Sequence, residues 1–97
     1  MANERLYIVT YDIADPKRWQ QIFKTMKGYG HWLQLSVFQC RLTARRRTEM
    51  TMRLEDLIRP ADDHILIMDL GPADSVDPRV ESLGKTYEAP ARQATIV

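Results

Sequence analysis

The 97-residue sequence predicts an α+β sandwich of order βαββαβ. Its antiparallel sheet should carry helices on one face, with an extra strand at the C-terminus. Three observations lead there. Residues 5–12, 32–42 and 64–70 are rich in aliphatic and aromatic residues and read as strands. The two stretches between them carry apolar residues at helical spacing. The middle run, 11 residues long, has room to bend or pair on into a hairpin, which supplies the fourth strand.

In the first strand Tyr7, Val9 and Tyr11 alternate with Ile8, Thr10 and Asp12, so Asp12 belongs to the side opposite Tyr11. Asp15-Pro16 opens a helix, with Asp15 as N-cap and Pro16 at the first helical position. Trp19, Ile22, Phe23 and Met26 form its apolar face, while Lys17, Arg18, Gln20, Gln21, Lys24 and Lys27 take the other. Gly28-Tyr29-Gly30 is expected to end it through a left-handed glycine.

Over residues 32–42, alternation puts Leu33, Leu35, Val37 and Gln39 on one face and Trp32, Gln34, Ser36, Phe38 and Cys40 on the other. Large apolar groups on both faces call for cover on both, one side by helices and the other by a partner chain. Trp32 and Phe38 are open to either assignment, core or subunit interface. Thr43 caps a second helix expected over 44–59, with Met50, Leu54, Leu57 and Ile58 as its buried stripe and Pro60 as its stop. Arg45/Glu49, Glu49/Arg53 and Glu55/Arg59 have the spacing of helical ion pairs.

The chain reads as one domain over 1–97, with 71–97 as a tail. In that tail 79–83 is a short extended piece and Ala94-Thr95-Ile96-Val97 a terminal strand. No apolar run reaches the ~20 residues of a membrane span, so no membrane association is expected. The single cysteine, Cys40, rules out an internal disulfide and favours a reducing, cytoplasmic setting.

A net charge of +1 conceals an asymmetry. Residues 1–59 hold 11 Lys/Arg against 6 Asp/Glu, and residues 60–97 hold 3 against 7. A basic half of this kind can attract phosphate backbones, or it can simply neutralise the other half.

Asp12 is the leading candidate for chemistry. A carboxylate at a strand end can be satisfied by the free N–H groups of the following helix. It can equally serve a hard cation such as Mg²⁺, which takes one or two carboxylates with water and phosphate oxygens. Lys17 and Arg18, and then Arg45-Arg46-Arg47, are either solvated helix surface or a phosphate-binding rim. His31 and His64 have no metal-ligand spacing with each other or with Cys40. Ser36 has no visible triad partners, and no phosphate-binding glycine loop is present.

Several stretches together resemble the small CRISPR-associated protein family Cas-two (Cas2). They are Tyr11-Asp12-Ile13 after a Val/Ile strand, Asp15 followed by basic residues, Gly28-Tyr29-Gly30, and above all Gln34-Leu35-Ser36-Val37-Phe38-Gln39-Cys40. Leu57-Ile58 at the end of the second helix, the strand at 64–70, and Val80-Glu81-Ser82-Leu83-Gly84 extend the likeness over nearly the whole chain.

The resemblance implies a ferredoxin-like homodimer whose C-terminal strand, here Thr95, Ile96 and Val97, pairs with the partner chain. It implies that Asp12 of each chain faces its mate across the dimer axis and holds Mg²⁺. It also implies spacer acquisition beside the Cas-one integrase, with nucleic acid, RNA or DNA, as a further partner. If cleavage occurs, Asp12 is expected to be its catalytic residue, with Tyr11, Ser36 and Phe38 lining the cleft and Lys17 and Arg18 on the nucleic acid. The alternatives are a scaffold that binds nucleic acid without cutting it, or a small regulatory module of the same fold.

Overall fold

A computed structural model of the chain describes residues 3–85. Its elements run β1 (Glu4–Asp12), α1 (Pro16–Lys27), β2 (His31–Gln34), β3 (Val37–Thr43), α2 (Ala44–Leu57) and β4 (His64–Pro72). The strands form one antiparallel sheet in the order β2-β3-β1-β4, which is the ferredoxin-like arrangement.

Alternation along β1 decides which face is which. Tyr7, Val9 and Tyr11 are buried, together with Phe38, Cys40 and Leu42 of β3. They pack against Ile22 and Met26 of α1 and Met50 and Leu54 of α2. Burying one such side chain contributes roughly 1.5–3 kcal/mol, whereas a helix N-cap contributes about 1 kcal/mol. Packing of the helices onto the sheet therefore outweighs capping in holding the two layers together. Both expected caps are present: Asp15 accepts from the Arg18 N–H at 2.9 Å, and Thr43 accepts from the Arg46 N–H at 3.2 Å.

Among the described residues, no helix lies over the other face of the sheet. Leu66, Met68 and Leu70 of β4 lie exposed there, at 48%, 43% and 38%. Register sets Met68 and Gln39 on either side of Ile8, and Leu66 and Val37 on either side of Thr10. Apolar side chains therefore run across the uncovered face.

The structure corrects the sequence reading in four places. First, the expected hairpin forms, but its turn at Leu35–Ser36 interrupts the alternation expected over residues 32–42. Leu35 has φ of 40° and is 74% exposed. This left-handed conformation strains a residue with a Cβ. The Trp32 indole donates to the Leu35 carbonyl at 2.9 Å and holds the turn.

Second, α1 ends without a left-handed glycine. Gly28 keeps right-handed dihedrals, and the last turn tightens as its N–H bonds the Thr25 carbonyl at 3.0 Å. The glycine that matters is Gly30, which lies against β3. A Cβ there would stand 2.4 Å from Cys40 Sγ and 2.7 Å from the Gln39 carbonyl oxygen.

Third, α2 stops at Leu57 rather than at 59. Ile58 is already extended and leaves the helix one residue before Arg59, the position at which Pro60 disfavours helical backbone. Arg59 then pairs with Asp62 at 3.6 Å.

Fourth, residues 79–83 form no strand. Pro78 precedes them, and they have no sheet partner among the described residues. Thr95, Ile96 and Val97 lie outside the described residues.

Gly30→Ala is expected to destabilise the fold by about 1–3 kcal/mol, the usual cost of forcing atoms into a filled site. A urea-denaturation midpoint equal to that of the unsubstituted chain would show that β3 yields freely at Cys40.

Candidate functional site

Asp12 ends β1 on the uncovered face and is exposed. The donors at the start of α1 do not serve it. The Arg18 N–H goes to Asp15, and the Ala14 N–H goes to Asp63 Oδ1 at 3.0 Å. Of the two open readings of Asp12, a carboxylate satisfied by the next helix is therefore set aside. Its side chain has no hydrogen bond or ion pair among the described residues.

The carboxylate that does gather donors is Asp63, which the sequence gave no reason to single out. It lies in the loop before β4, with its side chain closed to solvent. Its two oxygens accept from Ala14 N, from Arg18 Nε at 2.8 Å and Nη2 at 3.1 Å, and from Arg59 N at 2.8 Å. The loop after Asp12 and the loop before His64 are thus tied to one group. The Arg18 guanidinium first, and then the Arg59 and Ala14 N–H groups, hold Asp63 far below the usual carboxylate range, against the opposing pull of burial. Arg18 was expected to reach nucleic acid; here its charged head is engaged by Asp63, and the side chain as a whole is 18% exposed.

Tyr11, Ser36 and Phe38 do not line a cleft around Asp12. Tyr11 and Phe38 point to the helices, the opposite side of the sheet, because each residue step along a strand reverses the face. Their rings stack at 6.3 Å. The Ser36 hydroxyl accepts from Trp19 Nε1 at 2.8 Å on that same side. Among the described residues the buried Tyr11 hydroxyl has no hydrogen-bond partner, and burial pushes the phenol up to about 12, against a smaller pull from nearby Ser36. Cys40 is likewise inert, its thiol pushed up to about 12 by burial.

Among the basic residues, Lys17 is exposed in the first turn of α1. Arg46 donates to the Gly28 carbonyl at 2.9 Å and lies 4.7 Å from the centre of the Tyr29 ring, while Arg47 lies 5.4 Å from that of Tyr7. Two residues of the Arg triplet are thus partly occupied in packing on aromatic rings.

Antiparallel register brings His64 directly opposite Asp12. Both are exposed on the uncovered face. Spacing along the chain had given His64 no ligand neighbour, and only the β1–β4 pairing supplies one. No group of three or more His, Cys, Asp or Glu side chains placed to hold a metal occurs among the described residues.

Residues 5–76 match the model of the family "CRISPR associated protein Cas2". The chain is 63% identical over 94 residues to "CRISPR-associated endoribonuclease Cas2 1" of Rhodospirillum rubrum, covering 97% of this chain and 92% of that one. It is 54% identical to "CRISPR-associated endoribonuclease Cas2" of Geobacter sulfurreducens, covering 97% and 99%. Among solved structures it superposes on Streptococcus pyogenes Cas2 with a TM-score of 0.72 and 33% identity, over 81% of this chain and 99% of that one. A hypothetical protein from Thermus thermophilus gives 0.72 and 34%, over 88% and 99%. The chain belongs to the Cas2 family of CRISPR-associated proteins. No described helix is long and apolar enough to cross a membrane.

A depressed carboxylate stabilises the fold above its unfolded pKa of ~3.9 and loses that contribution as pH falls through its folded value. Asp63 should therefore make the fold acid-sensitive below about pH 4. Asp63→Asn, which cannot titrate, should show a lower urea midpoint near neutrality and a flatter decline in acid, followed by circular dichroism. An acid limb as steep as that of the unsubstituted chain would assign the sensitivity to other carboxylates.

Proposed function

We propose that the chain acts as a homodimer in CRISPR spacer acquisition beside the Cas-one integrase, with Asp12 of each copy holding Mg²⁺ against nucleic acid. The observation that carries this is the free, exposed Asp12 at the edge of an uncovered apolar sheet face. The row of Leu66, Met68 and Leu70 suits burial against a second copy. A two-fold axis through that face would oppose two copies of Asp12. One carboxylate from each chain matches what Mg²⁺ requires of a protein, with water and phosphate oxygens completing its shell.

When bound, such an ion polarises a phosphate oxygen and lowers the pKa of a water, the chemistry of phosphodiester hydrolysis on RNA or DNA. The Rhodospirillum and Geobacter relatives, both named CRISPR-associated endoribonucleases, support that extension. Lys17 supplies positive charge near the same end of the sheet. Arg18 contributes through the Asp63 clamp, which holds the loop that follows Asp12. The C-terminal residues Thr95, Ile96 and Val97 are proposed to pair with the partner's sheet.

A second reading, a scaffold that holds DNA without cleaving it, is favoured by the lysines of α1. Lys17, Lys24 and Lys27 are all exposed. They suit phosphate contacts that position a duplex without reading it.

Cleavage of labelled RNA and duplex DNA in Mg²⁺ should fall by roughly 100-fold or more in Asp12→Ala, the scale of losing one charge-stabilising group. Spacer uptake in cells carrying the same variant separates the two readings. Uptake retained at the normal level favours the scaffold, and uptake lost together with cleavage favours the enzyme. Light scattering that gives a monomer at micromolar concentration would overturn the dimer on which both depend.

A further inference from the structure

We infer that Trp32 is a stacking platform for the bases of an unpaired nucleic-acid strand, with Lys24 and Lys27 of α1 as the phosphate contacts beside it. The inference rests on the reading of nucleic acid as a partner and deepens it. It names the form of strand held and a second place for it, on the helix side of the sheet and away from Asp12.

Trp32 ends a line of aromatic rings that begins in the core. Phe38 of β3 is fully buried, and Trp32 is its register partner on edge strand β2. Residues opposite one another on antiparallel strands share a face, so the indole lies on the side of the sheet that α1 packs against. Phe23 of α1 meets both rings, Phe38 at 5.6 Å and Trp32 at 5.9 Å between centroids. Trp19 stacks on Phe23 in turn, at 5.2 Å. The line reaches water at Trp32, which is 51% exposed.

The indole is held in place at two points. Phe23 meets it almost perpendicularly, at 83°, and its Nε1–H donates to the Leu35 carbonyl at 2.9 Å. A ring fixed in this way loses little freedom when a flat ligand settles on it. Among the described residues, Trp32 is the only aromatic member of the exposed large apolar side chains. The exposed row on β4 is aliphatic and thioether, which suits a protein surface. A half-exposed indole instead offers a π-face, on which any base can stack.

Charge selects the occupant. Residues 16–48 contain no Asp or Glu. Lys17, Gln20, Lys24 and Lys27 are all exposed and recur at the spacing of one helix face, so they form a single stripe along α1. Lys27 Nζ stands 5.5 Å from the centre of the Phe23 ring, the same ring that abuts Trp32. A base on the indole would carry its phosphates past that ammonium. A duplex keeps its base faces inside its own stack, so it can meet the lysines but not the indole. An unpaired strand can meet both.

Fluorescence anisotropy of the full chain with labelled probes tests the platform. The probes are an oligothymidylate, a strand of equal length made of abasic sites, and a duplex. The unsubstituted chain should hold the oligothymidylate more tightly than the abasic strand. Trp32→Ala should weaken the oligothymidylate by roughly 10-fold, within the range for one base stacked on an aromatic ring, and leave the other two probes unchanged. Trp32→Phe, which keeps a ring, should retain most of the affinity. Lys24→Ala and Lys27→Ala should weaken all the probes and flatten the salt dependence. In the NMR spectrum of the unsubstituted chain, the oligothymidylate should shift the Trp32 indole resonance and leave that of Trp19 in place, a readout independent of how any variant folds. Undiminished oligothymidylate binding in Trp32→Ala, or a Trp32 resonance that stays still on binding, overturns the platform. If the lysine variants still lose affinity in that case, the nucleic-acid reading stands without it. Failure of every probe to bind the unsubstituted chain overturns both. Light scattering that shows Trp32→Ala breaking up an assembly assigns the indole to a protein interface, and overturns the platform likewise.

Discussion

Successive side chains of a strand point to opposite faces, and β1 lies in the interior of the sheet between β3 and β4. Its alternation therefore settles two matters at once. Tyr7, Val9 and Tyr11 enter the layer beneath the helices, and Ile8, Thr10 and Asp12 are left on the other side. A slip of one residue would exchange the two sets, placing Asp12 in an apolar core and Tyr11 in water. An unpartnered buried carboxylate is costly enough to forbid that register. The position of the core and the position of the candidate cation ligand are one decision. The uncovered face, with its apolar row on β4, follows from the same constraint.

The Asp63 clamp does the complementary work at the ends of the strands. A carboxylate closed to solvent survives only when its oxygens are satisfied, and Asp63 draws donors from two backbone N–H groups and one guanidinium. These donors come from the loop after β1, from α1 and from the loop before β4. The result is a rigid corner beside Asp12 built around an acid that has no free valence for chemistry. Arg18 belongs to this corner. Its charge is spent on Asp63 rather than presented to solvent, which leaves Lys17 as the open cation at the start of α1. The superposition on Streptococcus pyogenes Cas2 agrees with the overall fold in which this corner sits.

The order of elements, the Asp15 and Thr43 caps and the face on which Asp12 lies were all legible in the sequence. Each depends on contacts within a few residues or on a period of two along one strand. The turn at Leu35–Ser36 was not legible, because it needs a left-handed dihedral at a leucine, which no local preference favours. Gly30 was read as a helix stop and proves to be a point of close approach to Cys40. Tyr11 and Phe38 were assigned to a cleft through family resemblance, although the alternation that placed Asp12 on the open face already placed Tyr11 on the other.

By itself, then, the sequence determined the βαββαβ order, the sidedness of β1 and the family. Local propensity and side-chain periodicity act over short separations and are written directly in the order of residues. Tertiary structure alone decided that Arg18 binds Asp63, 45 residues away, and that His64 stands opposite Asp12. Those pairings arise only when β4 docks antiparallel on β1. The register of that docking is set by which apolar side chains can share the helix-covered face, a property of the packed sheet rather than of either strand.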